Sequence, residues 1–145
     1  FDLEKGEYIL IAGGSLVMHG IKDETEDIDL YISEKQFEKL KEKYNLRKSE
    51  KEYENLYEVN DNLEVRVMEI DKDNIYIIDG MPCNSLLADY KWKKENNREK
   101  DRETIKKEEE LFKNIAKFYN CSVETLTEEK IEEYINRKIN DFLER

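Results

Sequence analysis

The sequence predicts an α/β (α+β) fold: a small mixed β-sheet with flanking helices, followed by a C-terminal helical extension. Three observations lead there. Residues 8–78 carry short apolar runs separated by turn chemistry, the mark of strands. From residue 85 onward the apolar residues recur at helical spacing instead. The chain has 145 residues, enough for one core of modest size. Residues 1–95 are therefore expected to form the core and 96–145 a helical extension packed on it, as a single compact unit.

The elements follow in order. Tyr8 to Ala12 is an apolar strand, and Gly13-Gly14 after it permits unusual dihedrals and close approach of a ligand. Ser15 to His19 reads as a short helix stopped by Gly20, with His19 at its end. Asp27 to Ile32 is a second strand, with Ile28, Leu30 and Ile32 turned to the core. Ser33 and Gln36 form a capping-box pair for a helix running to about Tyr44, with Ile32 and Phe37 as its staple. Strand-like segments lie around Leu46, from Tyr53 to Val59 and from Leu63 to Ile70. Asn60-Asp61-Asn62 joins the last two as a hairpin. Ile75 to Ile78 is another strand, closed by Asp79-Gly80, and Pro82 precedes a helix from about Ser85 to Glu95. Tyr53, Tyr57 and Tyr76 are expected to pack on the sheet. Ile105, Phe112, Ile115, Ala116 and Tyr119 mark one face of a long helix. Ile131, Tyr134, Ile135, Ile139 and Phe142 mark a last helix, started by Thr127 with Glu128 and Glu129.

Composition narrows the function. Asp and Glu outnumber Lys and Arg by 36 to 25, a net charge of -11, so the general field of the molecule opposes a grip on duplex DNA. No apolar run reaches the length of a membrane span. Two isolated cysteines and a single histidine argue against a zinc site and for a reducing, cytoplasmic setting. No secretory signal is read from Phe1 onward, although a preceding piece could have carried one.

The chemistry concentrates in two motifs. Asp27 and Asp29 sit one residue apart in a strand, so both point to the same face, where they repel one another. A divalent cation, Mg²⁺ or Mn²⁺, resolves that repulsion. Upstream, backbone N–H groups of Gly14 and Ser15 sit at a helix start that favours phosphate, and the Ser15 hydroxyl can add a hydrogen bond. Metal ligands and a phosphate cradle are what phosphoryl chemistry on a nucleoside triphosphate needs.

Gly13-Gly14-Ser15 followed by Asp27-Ile28-Asp29, with Thr25 two residues before the first acid, resembles the nucleotidyltransferase superfamily, which shares the DNA polymerase beta palm fold. Ile78-Asp79-Gly80-Met81-Pro82, Ser85 to Lys91 and Asn97-Arg98-Glu99-Lys100-Asp101 resemble small bacterial members, including abortive-infection type toxins. The likeness covers roughly residues 8 to 115. It implies a third metal-binding acid on a later strand. Glu64 is preferred, because alternation puts it on the polar face of Leu63 to Ile70; Glu69 is the alternative. Arg66 beside Glu64 is read as a plain cross-strand charge pair with it, with a phosphate-facing role as the alternative. The likeness also implies a Lys facing the triphosphate from the helix after Pro82. Lys91 is the choice, near the face of Leu87, within a basic cluster that also holds Lys93, Arg98 and Trp92. Trp92 is a packing residue or a surface for a base.

The expected catalytic and metal-binding residues are thus Asp27, Asp29 and Glu64; the nucleotide-binding residues are Gly13, Gly14, Ser15 and Lys91. The expected reaction moves a nucleoside monophosphate from an NTP to a hydroxyl of a tRNA, a protein or a small molecule, releasing pyrophosphate. An antitoxin-like partner is implied by the resemblance. The alternative is a non-catalytic nucleotide- or partner-binding module that keeps the fold.

Overall fold

A computed structural model describes residues 3–51 and 54–143. Among them seven strands and five α-helices form a mixed α/β fold. In chain order these are β1 Tyr8–Ile11, α1 Ala12–Met18, β2 Ile28–Ile32, α2 Glu34–Lys43, β3 Arg47–Lys48, β4 Leu56–Asn60 and β5 Leu63–Val67. Then come β6 Tyr76–Ile78, β7 Met81–Cys83, α3 Leu86–Asn96, α4 Arg102–Tyr119 and α5 Glu128–Leu143. The strands make one sheet in the order β3-β4-β5-β2-β1-β7-β6. Pairs β2–β5 and β1–β7 are parallel; the others are antiparallel.

Period-two alternation sets the two faces of the sheet. Leu30 and Ile32 of β2 and Leu63 and Val65 of β5 are buried, while Asp29, Tyr31, Glu64 and Arg66 turn to the opposite side. One hydrophobic cluster joins Leu10, Ile32 and Val65 of the sheet and Leu16 of α1 to Phe112 and Ile115 of α4 and Ile131 and Ile135 of α5. The helices from residue 102 onward therefore share the core of the sheet. Ile28 departs from its expected place: it is 45 % exposed, because it begins β2 at a point the core does not reach.

Local signals behave as their chemistry requires. Ser33 Oγ accepts from the Gln36 N–H and caps α2, whose Phe37 packs on Tyr57 with ring centroids 4.7 Å apart. Asn60 and Leu63 pair across the expected hairpin turn, and the register shifts by one residue between Glu58 and Asn60. Tyr53 lies outside the described residues. β7 was not expected, since Pro82 in its middle reads as a strand breaker. Asp79 and Gly80, both at positive φ, make the tight primed turn that folds β7 onto β6. Ile77, opposite Pro82, turns its hydrogen bonds outward to α5. Its N–H donates to Glu132 (2.8 Å) and its C=O accepts from Asn136 Nδ2 (2.7 Å). Side chains of α5 thus satisfy the free edge of β6. Among the described residues no helix is long and apolar enough to cross a membrane.

Candidate active site

A cleft of about 820 Å³ opens over the polar face of β2 and β5. That size is within the range of small-molecule sites. Its floor carries Asp29 and Glu64, which are register partners on parallel neighbouring strands. Burial raises the Asp29 carboxyl above its ordinary range; Glu64 and Asp27 push the same way, and Lys51 opposes them. Lys51 brings its ammonium between 2.9 and 3.1 Å from the two Glu64 oxygens, so a cation already sits against these acids. Asp27 lies one residue before β2 and is exposed. Among the described residues no three acidic, Cys or His side chains converge as a ready-made metal cage. Hard carboxylate oxygens that crowd one another and recruit an ammonium are nonetheless the donor set that Mg²⁺ or Mn²⁺ prefers. Glu69 lies past the end of β5, is exposed, and lines a separate hollow with Gly6, Phe37 and Lys72. Strand register thus sets Glu64, and not Glu69, beside Asp29.

The glycine turn differs from its expected geometry. α1 begins at Ala12, three residues before Ser15, and Ala12 itself takes the left-handed conformation (φ 51°) where the chain swings from strand to helix. Ile11 and Ala12 line the cleft at this corner. Ser15 is 3 % exposed and in the second turn of α1, with its hydroxyl 3.5 Å from His19 Nδ1, so that hydroxyl faces the interior and not the cleft. Gly14 is buried too. A Cβ there would lie 2.6 Å from Leu10 Cδ1, so the missing side chain serves helix–strand packing. At Gly13 a Cβ would lie 2.6 Å from Thr25 Oγ1, and that same hydroxyl donates to the Asp27 C=O (2.9 Å). Gly13 therefore leaves room for the residue that ties the acidic strand's entry to the glycine turn.

The opposite wall comes from α3. Ser85 caps this helix by accepting from the Ala88 N–H, and Glu128 of α5 accepts from the Leu86 and Leu87 N–H groups. So anchored, the helix presents a stripe of Ser85, Ala88, Asp89, Trp92 and Lys93 to the cleft, at the three- and four-residue spacing of one helical face. Lys91 is off that stripe and exposed, which corrects its expected position. Lys93 takes the place instead: it is buried, lines the cleft and is ion-paired with Asp89 one turn earlier. Behind the pair lies Glu108 of α4, fully buried beside Asp89. Arg98, just past α3, stacks its guanidinium 4.7 Å from the Trp92 ring centroid and bonds Asp101 through Nε at 2.6 Å.

His19 ends α1 as expected, with Nδ1 2.9 Å from the Ser15 carbonyl and Nε2 3.9 Å from Glu128. Burial lowers its pKa and keeps the ring neutral. It is sealed away from the cleft.

Sequence reasoning missed Lys51, Asp89 and Lys93. The Asp89–Lys93 spacing is a legible ion-pair signal, whereas Lys51 reaches Glu64 only through strand pairing. No curated protein and no solved structure matches the chain. The family model described as "Nucleotidyltransferase of unknown function (DUF6036)" matches residues 2–127, and the chain belongs to that nucleotidyltransferase family.

Proposed function

We propose that this protein is a metal-dependent nucleotidyltransferase that moves a nucleoside monophosphate from an NTP to a hydroxyl acceptor and releases pyrophosphate. The observation that carries this reading is the pairing of Asp29 with Glu64 on the floor of a cleft whose other wall holds Lys93 and Arg98. Carboxylates on one side and cations on the other suit a ligand that brings both metal and phosphate charge.

Asp29, Glu64 and Asp27 would hold the divalent ion, and once bound it supplies neutralisation of phosphate oxygens. Lys51 neutralises Glu64 in the metal-free cleft and would have to yield that contact for Glu64 to act as a ligand. Lys93 and Arg98 take the outer phosphate oxygens, which places the scissile bond above the acids. The acceptor oxygen then attacks the α-phosphorus, its bond to pyrophosphate breaks, and a Glu64 carboxylate oxygen receives the acceptor's proton. The acceptor is a tRNA, a protein or a small molecule; an acidic surface argues against duplex DNA.

The test incubates the protein with α-labelled NTPs, Mg²⁺ and cell extract beside the Asp27→Ala/Asp29→Ala variant. Labelling of an acceptor by the native protein alone supports the reading. Equal labelling by both, or none by either, overturns it in favour of a nucleotide- or partner-binding module.

A further inference from the structure

Trp92 is the only tryptophan in the chain, and it is 46 % exposed. Its ring is not covered by the core, and it stands in the wall of the acidic cleft. A large aromatic surface left in contact with water inside a concave polar site is unfavourable unless a ligand covers it. The local structure holds it ready. Ala88, one turn earlier on the same stripe of α3, has no bulk beyond its methyl and also faces the cleft. Arg98 backs the ring at 4.7 Å, and the buried Asp101 fixes that guanidinium in turn. One guanidinium, held by Asp101, therefore steadies one face of the ring and leaves the other to the cleft.

We propose that the Trp92 indole is the stacking platform for the nucleobase of the bound nucleoside triphosphate. The inference rests on the nucleotide-binding reading above and adds the part of the site that recognises the base. Phosphate contacts to Lys93 and to the terminal nitrogens of Arg98 leave the base to lie on the face of Trp92 that Arg98 does not cover, in the cleft space beside Ala88. Stacking on an indole accepts any base, so the platform gives affinity without strict base choice.

Because Trp92 is the sole indole, its emission reports on the site directly. The experiment titrates the native protein, Trp92→Phe and Trp92→Ala with each of the four common ribonucleoside triphosphates and with inorganic tripolyphosphate, all with Mg²⁺. Emission is followed in the native protein, and equilibrium binding of labelled ligand in all three. The expected result is quenching by the nucleotides and not by tripolyphosphate. Trp92→Ala then weakens nucleotide binding by about tenfold, Trp92→Phe largely restores it, and tripolyphosphate binds all three proteins alike. Undiminished nucleotide binding by Trp92→Ala overturns the platform and leaves the nucleotide reading standing. An equal loss for nucleotide and tripolyphosphate also overturns it, since the effect is then not on the base. Failure of the native protein to bind any of the five ligands overturns the platform and the nucleotide reading together.

Discussion

Asp29 and Glu64 stand side by side as register partners on parallel strands, and Lys51 spans both oxygens of Glu64. Glu69 is two residues beyond the end of β5 and lines a different hollow. The expected outcome is that Glu64→Gln lowers nucleotidyl transfer on the order of a thousandfold, the scale of several kcal/mol of lost charge stabilisation. Glu69→Gln leaves transfer close to that of the native protein. Pyrophosphate release under saturating NTP and Mg²⁺ measures both. A dead Glu69→Gln beside an active Glu64→Gln would reverse the assignment.

The two glycines separate packing from site geometry. Gly14→Ala drives a methyl into buried Leu10, with Cγ at 3.1 Å as well as Cδ1 at 2.6 Å, and is expected to destabilise the fold by about 1–3 kcal/mol. Gly13→Ala meets Thr25 Oγ1, a side-chain end that can rotate away. Its cost in stability is expected to be smaller, about 1 kcal/mol or less, but rotation breaks the Thr25 bond to Asp27 and loosens the acidic strand's entry. Urea midpoints together with Mn²⁺ affinity distinguish the two. Gly14→Ala should shift mainly the midpoint and Gly13→Ala mainly the affinity.

Lys93 and Lys91 sit two residues apart on α3 and differ in every physical respect that matters. Lys91 is exposed, so Lys91→Met should change stability by no more than about 0.5 kcal/mol and leave nucleotide binding intact. Removing Lys93 alone strands Asp89 beside Glu108 with no ammonium between them, at an expected cost of about 3–5 kcal/mol. The double variant Asp89→Asn/Lys93→Met removes both charges and should recover much of that stability without recovering nucleotide binding. Thermal melts and labelled-ATP binding on the three proteins check this. Retained ATP binding by the double variant would exclude Lys93 from the phosphate site.

What was legible in the sequence follows the range of the forces involved. Caps and turns are local, so Ser33 with Gln36 marks the start of α2 and Asp79-Gly80 marks the end of β6 in the sequence itself. Alternation along β5 pointed to Glu64 over Glu69, since a period of two needs only neighbours. The sequence alone puts Lys91 near the face of Leu87, whereas Ser85 and Ala88 define the cleft-facing stripe. Only the docking of α3 against α4 and α5 decides between those faces. β7 is hidden by Pro82, yet β6 asks no N–H of it, because Ile77 opposite turns its own groups to Glu132 and Asn136. A helix starting at Ser15 points that residue to phosphate, but α1 begins three residues earlier. The corner instead lies at Ala12, whose left-handed φ no propensity would choose.

Glu108 gives the molecule a pH dependence that can be worked out in sign. Its carboxyl is fully enclosed; burial first, and the neighbouring Asp89 second, push its pKa up to about 8, with Asp101 adding to the rise and Lys93 opposing it. Below the ordinary range of a Glu, near 4.3, folded and unfolded chains both hold this proton and the group has no effect on the balance. Between that range and about 8 the unfolded chain has released the proton while the folded chain keeps it. The unfolded state then binds fewer protons, so stability falls as pH rises. Above about 8 the folded protein carries the extra buried charge and the loss is complete. Glu108→Gln keeps the shape and a donor but cannot ionise. It should match the native protein near pH 4.5 and exceed it increasingly toward pH 8.5, by on the order of 5 kcal/mol. Urea unfolding of both proteins across that range measures the difference. Parallel curves would mean that Glu108 is already ionised in the folded state, with Lys93 serving it as well as Asp89. In that case Lys93 would be too firmly held between two carboxylates to turn toward a triphosphate.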